Sequence, residues 1–96
     1  MITIDDLNFN KQVHGGIGTT FNTRSKITIS IQAGEFVYSS PRENLDDVDK
    51  YTLFEVAMFN AKGNYVTRQF INCGEDQVAG WVTRDVINNL LYQLER

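Results

Sequence analysis

Residues 26–32, Lys-Ile-Thr-Ile-Ser-Ile-Gln, leave the chain little choice of conformation. Ile27, Ile29 and Ile31 alternate with Thr28, Ser30 and Gln32 in strict period two. A helix would scatter the isoleucines around its axis. A strand gathers them on one face and sends the hydroxyl and amide side chains to the other. β-Branched residues suit the pleated surface. One buried face and one wet face is the pattern of an antiparallel sheet. Something apolar must then lie on the isoleucines.

The C-terminal stretch supplies it. Val86, Ile87, Leu90, Leu91 and Leu94 recur at helical spacing and form one apolar stripe, with Arg84, Asn88, Asn89, Gln93 and Glu95 on the wet side. Thr83 is a good N-cap, Asp85 sits in the first turn where the helix dipole favours an acid, and Val82 is placed to staple onto Ile87. A helix lying on a sheet follows, which is the α+β class.

The remaining elements fill in an antiparallel meander of about four strands. Residues 16–22 alternate, with Ile17, Thr19 and Phe21 on one face, and residues 22–25 read as a turn. Residues 51–59 form a strand with Phe54, Val56 and Met58 on one face and Leu53, Ala57 and Phe59 on the other, so both faces need cover. Residues 60–64, with Gly63, make a hairpin loop, and residues 65–71 return as the fourth strand with Val66 and Phe70 inward. Residues 1–12 are a short segment, either one turn capped by Thr3 or a strand, that packs Leu7 and Phe9 on the core. Residues 35–50 are a long connection. Phe36 and Tyr38 within it, or another subunit, must cover the second apolar face of residues 51–59. The whole chain, 1–96, reads as one domain.

Charge narrows the partners. Twelve acidic and nine basic residues give a net charge of −3, and the bases are dispersed. Nucleic acid needs clustered Lys and Arg, so no direct nucleic-acid contact is expected. No apolar run approaches a membrane span, and Met1 leads into Asp5-Asp6 rather than a basic-then-apolar signal. A cytoplasmic protein is expected. With Cys73 as the sole cysteine, no intrachain disulfide is possible, and its acidic neighbours Glu75 and Asp76 argue for an inert thiol.

Gly15, Gly16 and Gly18 beside His14 invite a phosphate loop. A P-loop needs Lys-Ser or Lys-Thr opening a helix, and Thr19-Thr20-Phe21 follows here. The dinucleotide fingerprint needs a glycine where Phe21 stands. The glycines are therefore read as a tight turn and a close backbone approach, and His14 as a turn histidine. No catalytic, cofactor or metal site is assigned, and the chain is read as a non-enzyme. The acidic run Glu43, Asp46, Asp47 and Asp49 lacks the glycine and terminal glutamate of a calcium loop. It is assigned instead, with Tyr38 and Tyr51 as aromatic anchors, as the surface that meets a basic protein partner.

His-Gly-Gly-Ile at 14–17, Phe54-Glu55-Val56-Ala57, Gly63, and then Asp76, Val78, Gly80, Trp81, Thr83, Asp85 and Val86 together resemble a group of small phage and prophage proteins. Residues 33–50 depart from the shorter loop of that group. The resemblance implies a phage or prophage origin and a protein that binds and blocks a host protein, as anti-CRISPR proteins do. It would act in the host cytoplasm, as a monomer or homodimer. The alternatives are a homo-oligomeric phage assembly accessory using the outer face of residues 51–59, and a binder of a nucleotide-like signal.

Overall fold

The computed structural model describes residues 1–96. The isoleucine strand lies at the centre of a five-stranded antiparallel meander whose spatial order is its chain order. The strands are β1 (Asn10–Lys11), β2 (Ile17–Asn22), β3 (Thr28–Ala33), β4 (Leu53–Phe59) and β5 (Ala79–Thr83), and the helix α1 (Arg84–Leu94) follows without a linker. The α+β class is as expected; the strand count is one higher than about four.

Register follows from the alternation. Ile29 lies between Phe21 and Met58, and Ile31 lies between Thr19 and Val56. This puts Ile29, Ile31, Phe54, Val56 and Met58 on one face, all fully buried. α1 covers that face with Ile87, Leu90, Leu91 and Leu94, and Thr83 caps it by accepting the Val86 N–H through its hydroxyl. Val86 falls at the margin of the stripe and is exposed.

One helix is too narrow to cover five strands, and two irregular segments complete the layer. Residues 2–9 carry a 3-10 turn, Ile4–Asp6, closed by reciprocal bonds between Thr3 and Asp6. Ile4 is buried and its N–H donates to Asn88 Oδ1 at 2.8 Å, so Asn88 is a docking residue rather than part of a wet face. The acidic part of the long connection covers the other flank with Leu45, Val48 and Tyr51.

Two further expectations are corrected. Residues 65–71 begin as a return arm, with a Phe59–Tyr65 bridge and Val66 N–H donating to Met58 O. Thr67 then ends the ladder: its hydroxyl, fully buried, accepts the Met58 N–H at 2.8 Å, and the chain turns as a 3-10 turn over Thr67–Gln69. The strand that completes the sheet is β5, in the residues read as a mere approach to the helix. Arg84 is the second correction. It leaves the wet side, lays its guanidinium 5.2 Å from the Phe54 ring centroid, and donates to Val48 O and Tyr51 O.

Candidate functional site

The opposite face of the sheet has no helix on it. Because Phe54 and Val56 point inward, Glu55 and Ala57 point outward, beside Gln32 and Ser30 of β3. β5 meets this stretch through a bulge: the register slips between Phe54 and Val56, so that Gly80 and Trp81 lie opposite Glu55. The slip puts Trp81 in the left-handed region, φ 52. For a bulky side chain that conformation is an outlier that costs about 1–3 kcal/mol.

The strained residue is also displayed. Trp81 is 53% exposed, with its indole stacked on Tyr38 at a centroid distance of 4.9 Å. Tyr38 crosses onto this face by accepting the Trp81 N–H through its carbonyl, and its Cβ packs where a Cβ on Gly80 would sit, 2.7 Å away. Arg42 lies 5.5 Å from the Tyr38 ring centroid. Burial pushes the Glu55 carboxyl above its ordinary value, and nearby His14 and Arg42 act against that shift. His14 accepts the Gly16 N–H through Nδ1, and its Nε2 is buried without a partner. Further along β4, Tyr65 stacks on Phe59 at 4.6 Å. Tyr65 thus takes the Phe59 end of the apolar face that the sequence left uncovered, Tyr38 packs on Gly80 and Trp81 instead, and Phe36 stays exposed.

The residues assigned to a partner surface separate in space. Tyr38 is exposed and joins Trp81 and Arg42. Tyr51 is not a surface anchor: it is fully buried against Phe54, because its hydroxyl donates to Glu43 O and accepts the Leu45 N–H at 2.7 Å. It staples the acidic loop from beneath. Glu43, Asp46 and Asp49 are exposed, and Asp46 meets Lys50 at 3.8 Å in a solvated pair. Asp47 is exposed too, but one of its oxygens accepts the Asp49 N–H and caps the 3-10 turn Val48–Lys50. Asn44 completes the loop by accepting the Glu35 N–H.

The glycines answer to packing. A Cβ on Gly16 would lie 2.1 Å from Ala33 O, so β1 and β2 can turn here only without a side chain. Cys73 is half-buried, with its thiol on Asp76 O. No three His, Cys, Asp or Glu side chains converge at metal-binding distance. No helix is long and apolar enough to cross a membrane.

No protein-family model, curated protein or solved structure matches the chain. The site therefore stands on its own geometry. Sequence pattern places Trp81 only within the resemblance and gives neither Trp81 nor Arg42 a role at the partner surface. The signal for Trp81 was a lone tryptophan after a glycine, off the helical stripe, in a segment that needed no aromatic residue to enter a helix.

Proposed function

We propose that this chain is a non-enzymatic protein-binding module that engages its partner through the open face of the sheet, with Trp81, Tyr38 and Arg42 at the centre. One observation carries the proposal: the backbone holds Trp81 in a left-handed conformation whose visible result is an indole presented to solvent. Local strain of this kind collects at functional positions. Tryptophan, tyrosine and arginine are the residues that dominate binding energy at protein interfaces. Five surface cavities lie elsewhere and none of them includes Trp81, Glu55 or His14, which suits a flat contact better than a small-molecule pocket. In line with the sequence resemblance, we assign the module to a phage or prophage and its partner to a host protein that it blocks, a defence protein among the candidates.

Trp81→Asn separates binding from folding. Asparagine tolerates the left-handed region, so the variant should melt at the same temperature or higher. Affinity capture from bacterial lysate with mass spectrometry should lose the partner enriched by the unsubstituted chain. Retention of that partner would move the interface off this face. Phe59 and the half-exposed Tyr65 extend the same face with apolar surface, which favours self-association as the second reading. A mass that rises with concentration in light scattering, and ceases to rise in Trp81→Asn, would identify the partner as a second copy.

A further inference from the structure

We infer that a groove on the helix side of the molecule, between residues 7–10 and the acidic loop, takes a basic segment of the protein partner, an extended stretch in which arginine or lysine alternates with apolar residues. The inference rests on the chain being a protein-binding module, but it concerns a different surface. Leu7, Asn8, Phe9 and Asn10 form one wall and Asp46, Asp47 and Val48 the other. The trough continues past Phe9, Ile17 and Asp46 to Leu45 and Gly16. The two hollows share Phe9, Ile17 and Asp46 and so adjoin one another.

Phe9, Ile17 and Leu45 supply an apolar floor within a lining that is otherwise largely polar, and Asp46 and Asp47 supply an acidic rim. Phe9 and Leu45 are half-buried beside Ile17, and Phe9 is held by the Phe54 ring at 6.2 Å. The stem of an arginine or lysine can lie along that floor while its charge reaches the rim. The rim offers little internal compensation. Asp46 has only the solvated Lys50 as an ion-pair partner, with its side chain 94% exposed, and Asp47 spends one oxygen on a backbone amide. Lys11 stands at the far end and sets a limit there. A phosphate-bearing ligand would be repelled by the carboxylates. A basic peptide is drawn to them and steered by their field.

The loop is preorganised for this. Tyr51 fixes Leu45 and Glu43 from below, and Arg84 holds Val48 and Tyr51 to the start of α1. An occupant therefore has little disorder to overcome in the loop when it binds.

The test titrates the isotope-labelled chain with an alternating leucine–arginine pentapeptide and with its leucine–glutamate counterpart, followed by amide NMR. The arginine peptide should move the Phe9, Leu45 and Asp46 amides saturably, and less so as salt is raised; the glutamate peptide should not. Asp46→Lys should weaken the arginine peptide by about tenfold or more, the lower end of measured coupling for close charge pairs, with the melting temperature unchanged. Shifts centred elsewhere, equal binding of the glutamate peptide, or unchanged affinity in Asp46→Lys would overturn the inference. Trp81→Asn should leave peptide affinity untouched. If Trp81→Asn abolishes partner capture while Asp46→Lys leaves both capture and peptide affinity unaltered, the groove fails and the open-face reading stands. If the peptide seats in the groove while capture survives Trp81→Asn, the reverse holds.

Discussion

Tyr51→Phe removes one oxygen from the middle of the molecule and tests whether the acidic loop is built or merely solvated. The ring should stay where it is, because phenylalanine has the same shape and the Phe54 contact at 6.2 Å does not involve the hydroxyl. No cavity opens, so the cost is confined to hydrogen bonds. Two are lost, one donated to Glu43 O and one accepted from the Leu45 N–H. At about 0.5–1.5 kcal/mol net each, the ceiling is roughly 3 kcal/mol. Glu43 is exposed and Leu45 half-buried, so water can replace part of what is lost. A value of about 1–2 kcal/mol follows. In a domain of this size each kcal/mol moves the melting temperature by about 4–8 °C, so a fall of roughly 5–15 °C is expected by calorimetry. Amide exchange locates the effect: the Leu45 N–H should lose protection by about tenfold per 1.4 kcal/mol, while β3 follows only the global change. A melting temperature within a degree of the unsubstituted chain, together with unchanged Leu45 exchange, would refute the staple. The preorganisation argument for the groove would fall with it.

Gly16→Ala forces a methyl group to within 2.1 Å of Ala33 O and 2.8 Å of Gly34 Cα, backbone atoms that cannot swing aside; urea unfolding should show a loss of roughly 1–3 kcal/mol or more, and a near-neutral result would mean that the β1–β2 turn does not sit against β3. Glu55→Gln should stabilise the chain at neutral pH. Burial raises the folded-state pKa of Glu55 above its ordinary value, so the folded state binds its proton more tightly than the unfolded state does. The stabilising contribution is full below the unfolded value and is lost as pH rises through the folded one. Melts should therefore place Glu55→Gln above the parent at neutral pH, with the difference closing toward acid pH; a gap that widens on acidification would reverse the sign argued here.

What could be seen in the sequence was what local pattern decides. The Ile27–Ile31 alternation, the inward set Phe54, Val56 and Met58, and the Thr83 cap with Leu90, Leu91 and Leu94 all depend on period and on single residues next to an element. What stayed hidden depends on contacts between distant residues. Residues 65–71 alternate well enough for a strand, but the Thr67 hydroxyl takes the Met58 N–H and turns the chain away. Trp81 gives no sign of its conformation, since the bulge arises from pairing with β4. Tyr51, next to a run of carboxylates, reads as a surface residue, and its burial appears only once Leu45 and Glu43 fold back over it. Of the six residues assigned to a partner surface, five are exposed and one, Tyr51, supports the others from inside. Arg84 follows helical spacing to the wet side until the long connection arrives to meet it.

The packing of Tyr38 onto Gly80 also constrains how this chain can drift over generations. The Tyr38 Cβ occupies the space that any side chain at residue 80 would need. The two positions are thereby coupled: glycine can be lost at 80 only after the backbone at residue 38 has moved or residue 38 has itself become glycine, and a side chain such as the Tyr38 ring can be kept at 38 only over a glycine. Intermediates that change one alone are strained. Lineages that keep the open face should inherit the pair together, along with a residue at 81 that accepts a left-handed backbone. A descendant with little overall identity would still be recognisable from an aromatic residue in the connection after β3 and a glycine two residues before the residue at the Val82 position of β5.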